Sequence, residues 1–96
     1  MTYKIAFSES AKKEWNDLPS AIKKQFMVKL SKIIEYPRIP KNKLSDLKDC
    51  YKIKLRASGY RLVYRVYDNQ VIIEVIAIGK RDKALAYKHA RQRLYR

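Results

Sequence analysis

Tyr51-Lys52-Ile53-Lys54-Leu55-Arg56-Ala57-Ser58-Gly59-Tyr60-Arg61-Leu62-Val63-Tyr64-Arg65 is the stretch that decides the fold. Apolar and basic residues alternate on both sides of Ser58-Gly59. A period of two around a turn dipeptide predicts an antiparallel hairpin with one face buried. Tyr51, Ile53 and Leu55 point one way, and Lys52, Lys54 and Arg56 the other. Arg61 and Arg65 continue the pattern on the returning strand. Taken alone, alternating lysines also fit a solvated face. Like charges on neighbouring strands repel, however, so a face of one sign points to a polyanion seated on it.

The rest of the chain builds outward from this hairpin. Tyr3, Ile5 and Phe7 alternate with polar or small residues and predict a first strand. Ser8 is placed to cap a helix over residues 9–17, with Ala11, Trp15 and Leu18 on one stripe. After Pro19, Ile22, Phe26, Leu30, Ile33 and Ile34 recur at helical spacing and predict a second helix to Tyr36, stopped by Pro37 and Pro40. Arg38 to Asp49 reads as a loop. Asp68-Asn69-Gln70 reads as a turn, and Val71–Ile78 as a strand apolar on nearly both faces, hence central and covered twice. Gly79 ends that strand, and Asp82 caps a last helix over 83–94. The expected fold is α+β in the order β-α-α-β-β-β-α. A small antiparallel sheet carries an α-hairpin on one face and a basic surface on the other, in one domain over residues 1–96.

Composition narrows the partner. Of the 96 residues, 47% are hydrophobic, an ordinary globular share that argues against disorder. Lys and Arg number 23 against 9 Asp and Glu, a net charge of +14. Residues 41–65 carry +6 of it and residues 80–96 another +6. Such a surplus attracts nucleic acid through counterion release, with an anionic membrane surface as the competing partner. No segment approaches the ~20 apolar residues of a membrane span. Met1-Thr2-Tyr3-Lys4-Ile5 lacks the apolar core of a signal peptide. The single Cys50 can form no intrachain disulfide. A cytoplasmic protein without membrane attachment is expected.

The residue inventory excludes several chemistries. His89 is the only histidine and Cys50 the only cysteine, so no zinc site of usual spacing can be built. The acids are scattered, against a two-metal nuclease. There is no glycine-rich phosphate loop and no serine nucleophile elbow. No metal or cofactor is expected, and catalysis would fall to Lys, Arg and Tyr. RNA scission can be done with these, because the nucleophile is the RNA's own 2′-hydroxyl. The protein has to align it, stabilise the phosphorane and move two protons. A tyrosine ionises near ~10, and surrounding cations would lower that value. Tyr87, one turn into a helix after Lys80-Arg81, is a candidate base on this reasoning.

These residues resemble the RelE toxins of RelE/RelB toxin–antitoxin systems over almost the whole chain. The resemblance is sharpest in Asp49–Arg56, in Ser58–Tyr64, and in Ile78-Gly79-Lys80-Arg81 with Tyr87 downstream. Glu14-Trp15 and the Pro37-Arg38-Ile39 region match as well. The resemblance implies the microbial RNase fold of that family. It also implies a metal-independent endoribonuclease that enters the ribosomal A site, cuts messenger RNA there and so halts translation. It places Lys52 and Lys54 beside the scissile phosphate and Arg61 on the phosphate. Arg81 is placed near the leaving 5′-oxygen, and Tyr87 on the substrate as the base. An arginine holds its proton above ~12, so charge stabilisation is the role that suits Arg81. Arg56, Arg65, Lys80, Lys43 and Lys48 are the expected wider contacts to RNA and ribosome, including the 16S ribosomal RNA of the 70S particle. Relatives often have a basic residue where this chain has Ser45-Asp46. A RelB-like antitoxin is the implied partner, with operator DNA bound only through the complex. Two other functions stand beside this one: gyrase poisoning, as in the ParE branch of the superfamily, and a non-catalytic basic RNA-binding module.

For the remaining residues the plainer readings are structural. Tyr51, Tyr60 and Tyr64 are read as core or rim, Trp15 as helix-to-sheet core, Cys50 as a small buried group and His89 as a surface helix residue. Lys12, Lys13, Lys23, Lys24, Lys29 and Lys32 fit a solvated helix face and an RNA contact equally.

Overall fold

The strand apolar on both faces needs cover on both, and the structure places it inside the sheet. This is a computed structural model that describes residues 2–80 and 82–95, the side chain of Lys83 excepted. Its elements are β1 (Lys4–Phe7), α1 (Glu9–Asn16), α2 (Ser20–Ile33), β2 (Cys50–Lys54), β3 (Tyr60–Tyr67), β4 (Ile72–Lys80) and α3 (Leu85–Leu94). The strand order is β1-β4-β3-β2. The expected β-α-α-β-β-β-α order is therefore present, and β4 is central.

The sheet is mixed rather than wholly antiparallel. β2, β3 and β4 run antiparallel, while β1 pairs in parallel with β4 from Lys4↔Ile72 to Phe7↔Val75. The helical hairpin explains this. The Tyr3 N–H donates to the Ile34 carbonyl at 2.8 Å, so α2 returns the chain to the end of the sheet where β1 began. β2 then runs in the direction of β1, and two hairpins later β4 does too.

α1 and α2 bury Ala11, Ile22, Phe26 and Leu30 against Ile53, Leu62, Tyr64 and Val75 on one face. Trp15 joins them, its ring 5.1 Å from that of Phe7. Tyr51 and Tyr64 stack at 5.6 Å inside this layer. The second cover expected for the last strand comes from α3, whose Ala86 and Ala90 pack with Cys50, Val63, Ile76 and Ala77 on the other face. Burial pushes the Cys50 thiol up to about 11, so it sits there as a neutral apolar group. A bulge in β4 serves both layers. Val63 pairs with Ala77 but Tyr64 with Val75, leaving Ile76 as the extra residue. Ile73, Val75 and Ile78 face the hairpin, while Ile76 and Ala77 both face α3.

Several boundaries differ from the pattern-based reading. α2 ends at Ile33, before the residues preceding Pro37. β4 runs through Gly79 to Lys80, because Arg61 and Tyr60 continue the ladder opposite them. Asp82 does not cap α3. It opens a 3₁₀ turn, Asp82–Ala84, and α3 starts after Ala84 in a left-handed conformation (φ 50°) with no side-chain cap. Ser8 does cap α1, accepting from the Ala11 N–H at 3.2 Å.

The pairing of β1 with β4 ends at Phe7↔Val75, and beyond it the edge of β4 is closed by side chains. Glu14 Oε1 accepts from the Ile78 N–H at 3.1 Å, and Arg93 donates to the Ile76 carbonyl at 2.8 Å. Arg93 and Glu14 also form a two-pronged pair at 2.9 and 3.0 Å. His89 is half-buried against this clasp, its Nδ1 3.6 Å from Glu14, and is not the plain surface residue expected. α1, β4 and α3 are thereby locked together. Glu14→Ala strips a half-buried Arg and a strand N–H of their acceptor. We expect a loss of about 1.5–3 kcal/mol, seen as a melting temperature roughly 10 °C lower. Glu14→Gln, which still accepts from Ile78, should lose clearly less. Equal losses in thermal denaturation would contradict the clasp.

Candidate active site

The register of β2 and β3 assembles the basic cluster. Lys54 lies directly opposite Arg61 and Lys52 opposite Val63, on the same face as buried Cys50. The returning turn holds this pairing. The Leu55 N–H donates to the Tyr60 carbonyl at 2.9 Å and the Gly59 N–H to the Leu55 carbonyl at 2.8 Å. Gly59 sits at φ 80°, a conformation a side chain would strain. Two cations directly across a ladder oppose folding. The cost is visible at Lys54: Lys52 first, then Arg61, push its ammonium below its ordinary pKa. Among the described residues no acid forms an ion pair with Lys52, Lys54 or Arg61.

α3 brings the fourth member. The Arg61 guanidinium lies 5.5 Å from the centre of the Tyr87 ring. Tyr87 is held there because Ala86 and Ala90 seat the helix, Arg93 clasps Glu14, and Arg91 pairs with Asp46 at 3.0 Å. Asp46 anchors α3 a second time, because its backbone carbonyl accepts from the Tyr95 hydroxyl at 3.1 Å. The basic cluster does not make Tyr87 an easy base. Burial pushes its hydroxyl above the ordinary phenol value, and the opposing pull of Arg61 is the weaker effect. Its oxygen is buried without a hydrogen-bond partner among the described residues. Arg81, the fifth candidate, lies outside the described residues.

The wider contacts scatter. Arg56 is exposed in the turn beside Lys54, and Lys80 lies 5.8 Å from the Tyr60 ring centre, next to Arg61. Arg65 is not part of the cluster. It pairs with Cys50 at the other end of β2 and packs at 5.2 Å on the Tyr67 ring, half-buried. Lys43 lies 5.5 Å from the Tyr51 ring centre, and Lys48 is exposed in the loop. Arg38, a matched position, holds the loop by pairing with Asp49 at 3.0 Å and Asp68 at 2.8 Å. Sequence reasoning missed Glu14 as a holder of α3. Its partner Arg93 is 79 residues away, beyond the reach of local pattern.

This arrangement can hold a phosphodiester between Lys54 and Arg61, with an aromatic ring beside it. The ParE toxin family of type II toxin–antitoxin systems, parDE, matches residues 5–85. The mRNA interferase toxin RelE of Escherichia coli K12 is 49% identical over 98% of this chain and 99% of its own length. An E. coli RelE variant in the free state superposes with a TM-score of 0.90, at 48% identity, over 98% of this chain and 99% of that one. A RelE variant in complex with a peptide of the antitoxin RelB superposes at 0.81, at 49% identity, over 94% and 95%. The chain thus belongs to the RelE toxins of the RelE/ParE superfamily.

Proposed function

We propose that this chain is the toxin of a type II toxin–antitoxin pair and cuts messenger RNA in the ribosomal A site by attack of a 2′-hydroxyl on the adjoining phosphate. The carrying observation is the Lys54–Arg61 pair, two cations opposed on one face with no acid among the described residues paired to them. Arg61 and Lys52 hold the phosphate oxygens and neutralise the charge that grows in the phosphorane. Lys54, whose neighbours ease the loss of its proton, takes the proton of the 2′-hydroxyl. The 2′-oxygen then bonds to phosphorus, and the bond to the 5′-oxygen breaks. That oxygen leaves with a proton from water, while Arg81 stabilises its charge. Tyr87, its phenol raised by burial, orients the substrate through its ring and passes the role of base to Lys54.

A relative named an mRNA interferase at 49% identity leaves gyrase poisoning unfavoured. The cognate partner is a RelB-like antitoxin, as the RelB peptide on the related RelE suggests. Its neutralising segment is acidic or amphipathic and orders as it binds. It covers the basic face or competes for the seat of α3. Operator DNA is bound through the antitoxin, and the toxin works in the cytoplasm, where ribosomes are. No helix among the described residues is long and apolar enough to cross a membrane.

With programmed ribosomes, the 3′ ends of the message should map to the A-site codon. A 2′-deoxy nucleotide at the scissile position should abolish cleavage and leave binding intact; an uncut natural message would sink the assignment. Lys54→Gln separates function from stability. It should slow cleavage roughly 10²–10³-fold yet raise the melting temperature by about 1–3 °C, because it relieves a like-charge pair. The pKa is lowered in the folded state, so the charged form of Lys54 opposes folding. The stabilisation by Gln is therefore full at neutral pH and fades as pH rises through that lowered value. A destabilised Lys54→Gln would contradict the strained pair.

A further inference from the structure

The outer edge of β2 opens into a cleft of about 440 Å³ that borders the catalytic cluster and shares Lys52 and Lys54 with it. Lys29 and Lys32 of α2, Lys41 and Asn42 of the loop turn, and Arg56 line it together with the edge of β2. Six of its nine lining residues are cationic and none is acidic, so it is electropositive throughout. A solvated helix face spreads its charges and mixes their signs. Here lysines from separate elements converge on one hollow. Residues 20–33 contain no acid at all, and Lys29 and Lys32 stand three residues apart, where like charges weaken a helix. Among the described residues neither they nor Lys41 enter an ion pair. The loop that carries Lys41 and Asn42 is pinned by Asp49 and Asp68 through Arg38, and by the Tyr64 hydroxyl, which donates to the Pro37 carbonyl at 2.7 Å.

We infer that this cleft extends the cluster into a second phosphodiester subsite, which takes RNA backbone next to the bond that is cut. It rests on the reading of the hairpin face as an RNA surface. Lys29, Lys32 and Lys41 are its phosphate ligands. Asn42 can donate to a phosphate oxygen or accept from a 2′-hydroxyl. No aromatic side chain lines the cleft, so bases have nothing to stack on and the site is indifferent to sequence. Lys54 and Arg56 also border a second hollow with Tyr60 and Arg61, which makes one basic band from α2 to the cluster.

The test compares the parent with a triple variant, Lys29→Gln, Lys32→Gln and Lys41→Gln. Binding is measured from 50 to 200 mM salt, about the range over which phosphate contacts show their salt dependence, on two probes. One is the vacant 70S ribosome, and the other a short single-stranded RNA with a 2′-deoxy scissile nucleotide. We expect affinity to fall at least about tenfold on one probe, and the salt slope to drop by about two, at ~0.7 per phosphate contact. Loss on the vacant ribosome assigns the cleft to structured ribosomal RNA, and loss on the oligonucleotide assigns it to the message. Lys→Arg at the three positions should restore binding, and an unchanged melting temperature excludes misfolding. Unchanged affinity and slope on both probes would overturn the inference. So would a defect confined to binding an acidic antitoxin peptide. These readouts need no cleavage, so a failure of the RNase reading is seen separately, as uncut message with binding intact.

Discussion

The structure depends on the double burial of β4. A strand with Val75, Ile76, Ala77 and Ile78 all buried has to be covered from both sides. The helical hairpin covers one face, and α3 must cover the other. A single helix is about 10–12 Å wide, and strands lie ~4.8 Å apart, so α3 shields two strands of the four. It sits over β4 and the adjoining part of β3 and packs with Cys50 at the start of β2, while the turn half of the hairpin stays bare. That bare half carries Lys52, Lys54 and Arg61. The candidate site is thus the part of the second face that one helix is too narrow to close, and Tyr87 marks its border.

Electrostatics divides the chain in the same way. The few acids act as fasteners. Glu14 ties α1 to β4 and α3, Asp46 ties the loop to α3, and Asp49 and Asp68 tie the loop and turn through Arg38. None of them is placed against the opposed cations of the hairpin. The fold therefore keeps a self-repelling surface that an anion would relieve, at the expense of stability, as functional sites commonly do. Asp46 illustrates the logic. A basic residue there would release Arg91 and loosen the helix that positions Tyr87.

Local pattern carried the elements and most of the cluster. The period of two in residues 51–65 marked the hairpin and its basic face, and the run 71–78, apolar on nearly both faces, marked the central strand. What it could not carry was set by distant partners. The parallel pairing of β1 follows from where α2 returns the chain. The Ile76 bulge is invisible in a stretch without alternation. Ala84 adopts the left-handed conformation at the start of α3 where Asp82 promised a cap. The count of neighbouring cations pointed to a lowered Tyr87 phenol, but the packing of α3 buries that hydroxyl and reverses the sign. Lys54 bears the mutual repulsion instead, because it stands exposed between Lys52 and Arg61.

The central claim is that this face of cations cuts RNA with the RNA's own hydroxyl. End-group analysis of the cleaved message tests it most directly. Attack by the 2′-oxygen leaves a 2′,3′-cyclic phosphate, or the monophosphate from its hydrolysis, upstream and a 5′-hydroxyl downstream. Those ends are the predicted result. A 3′-hydroxyl upstream and a 5′-phosphate downstream would mean that water, not the 2′-hydroxyl, attacks the phosphorus, and would contradict the account.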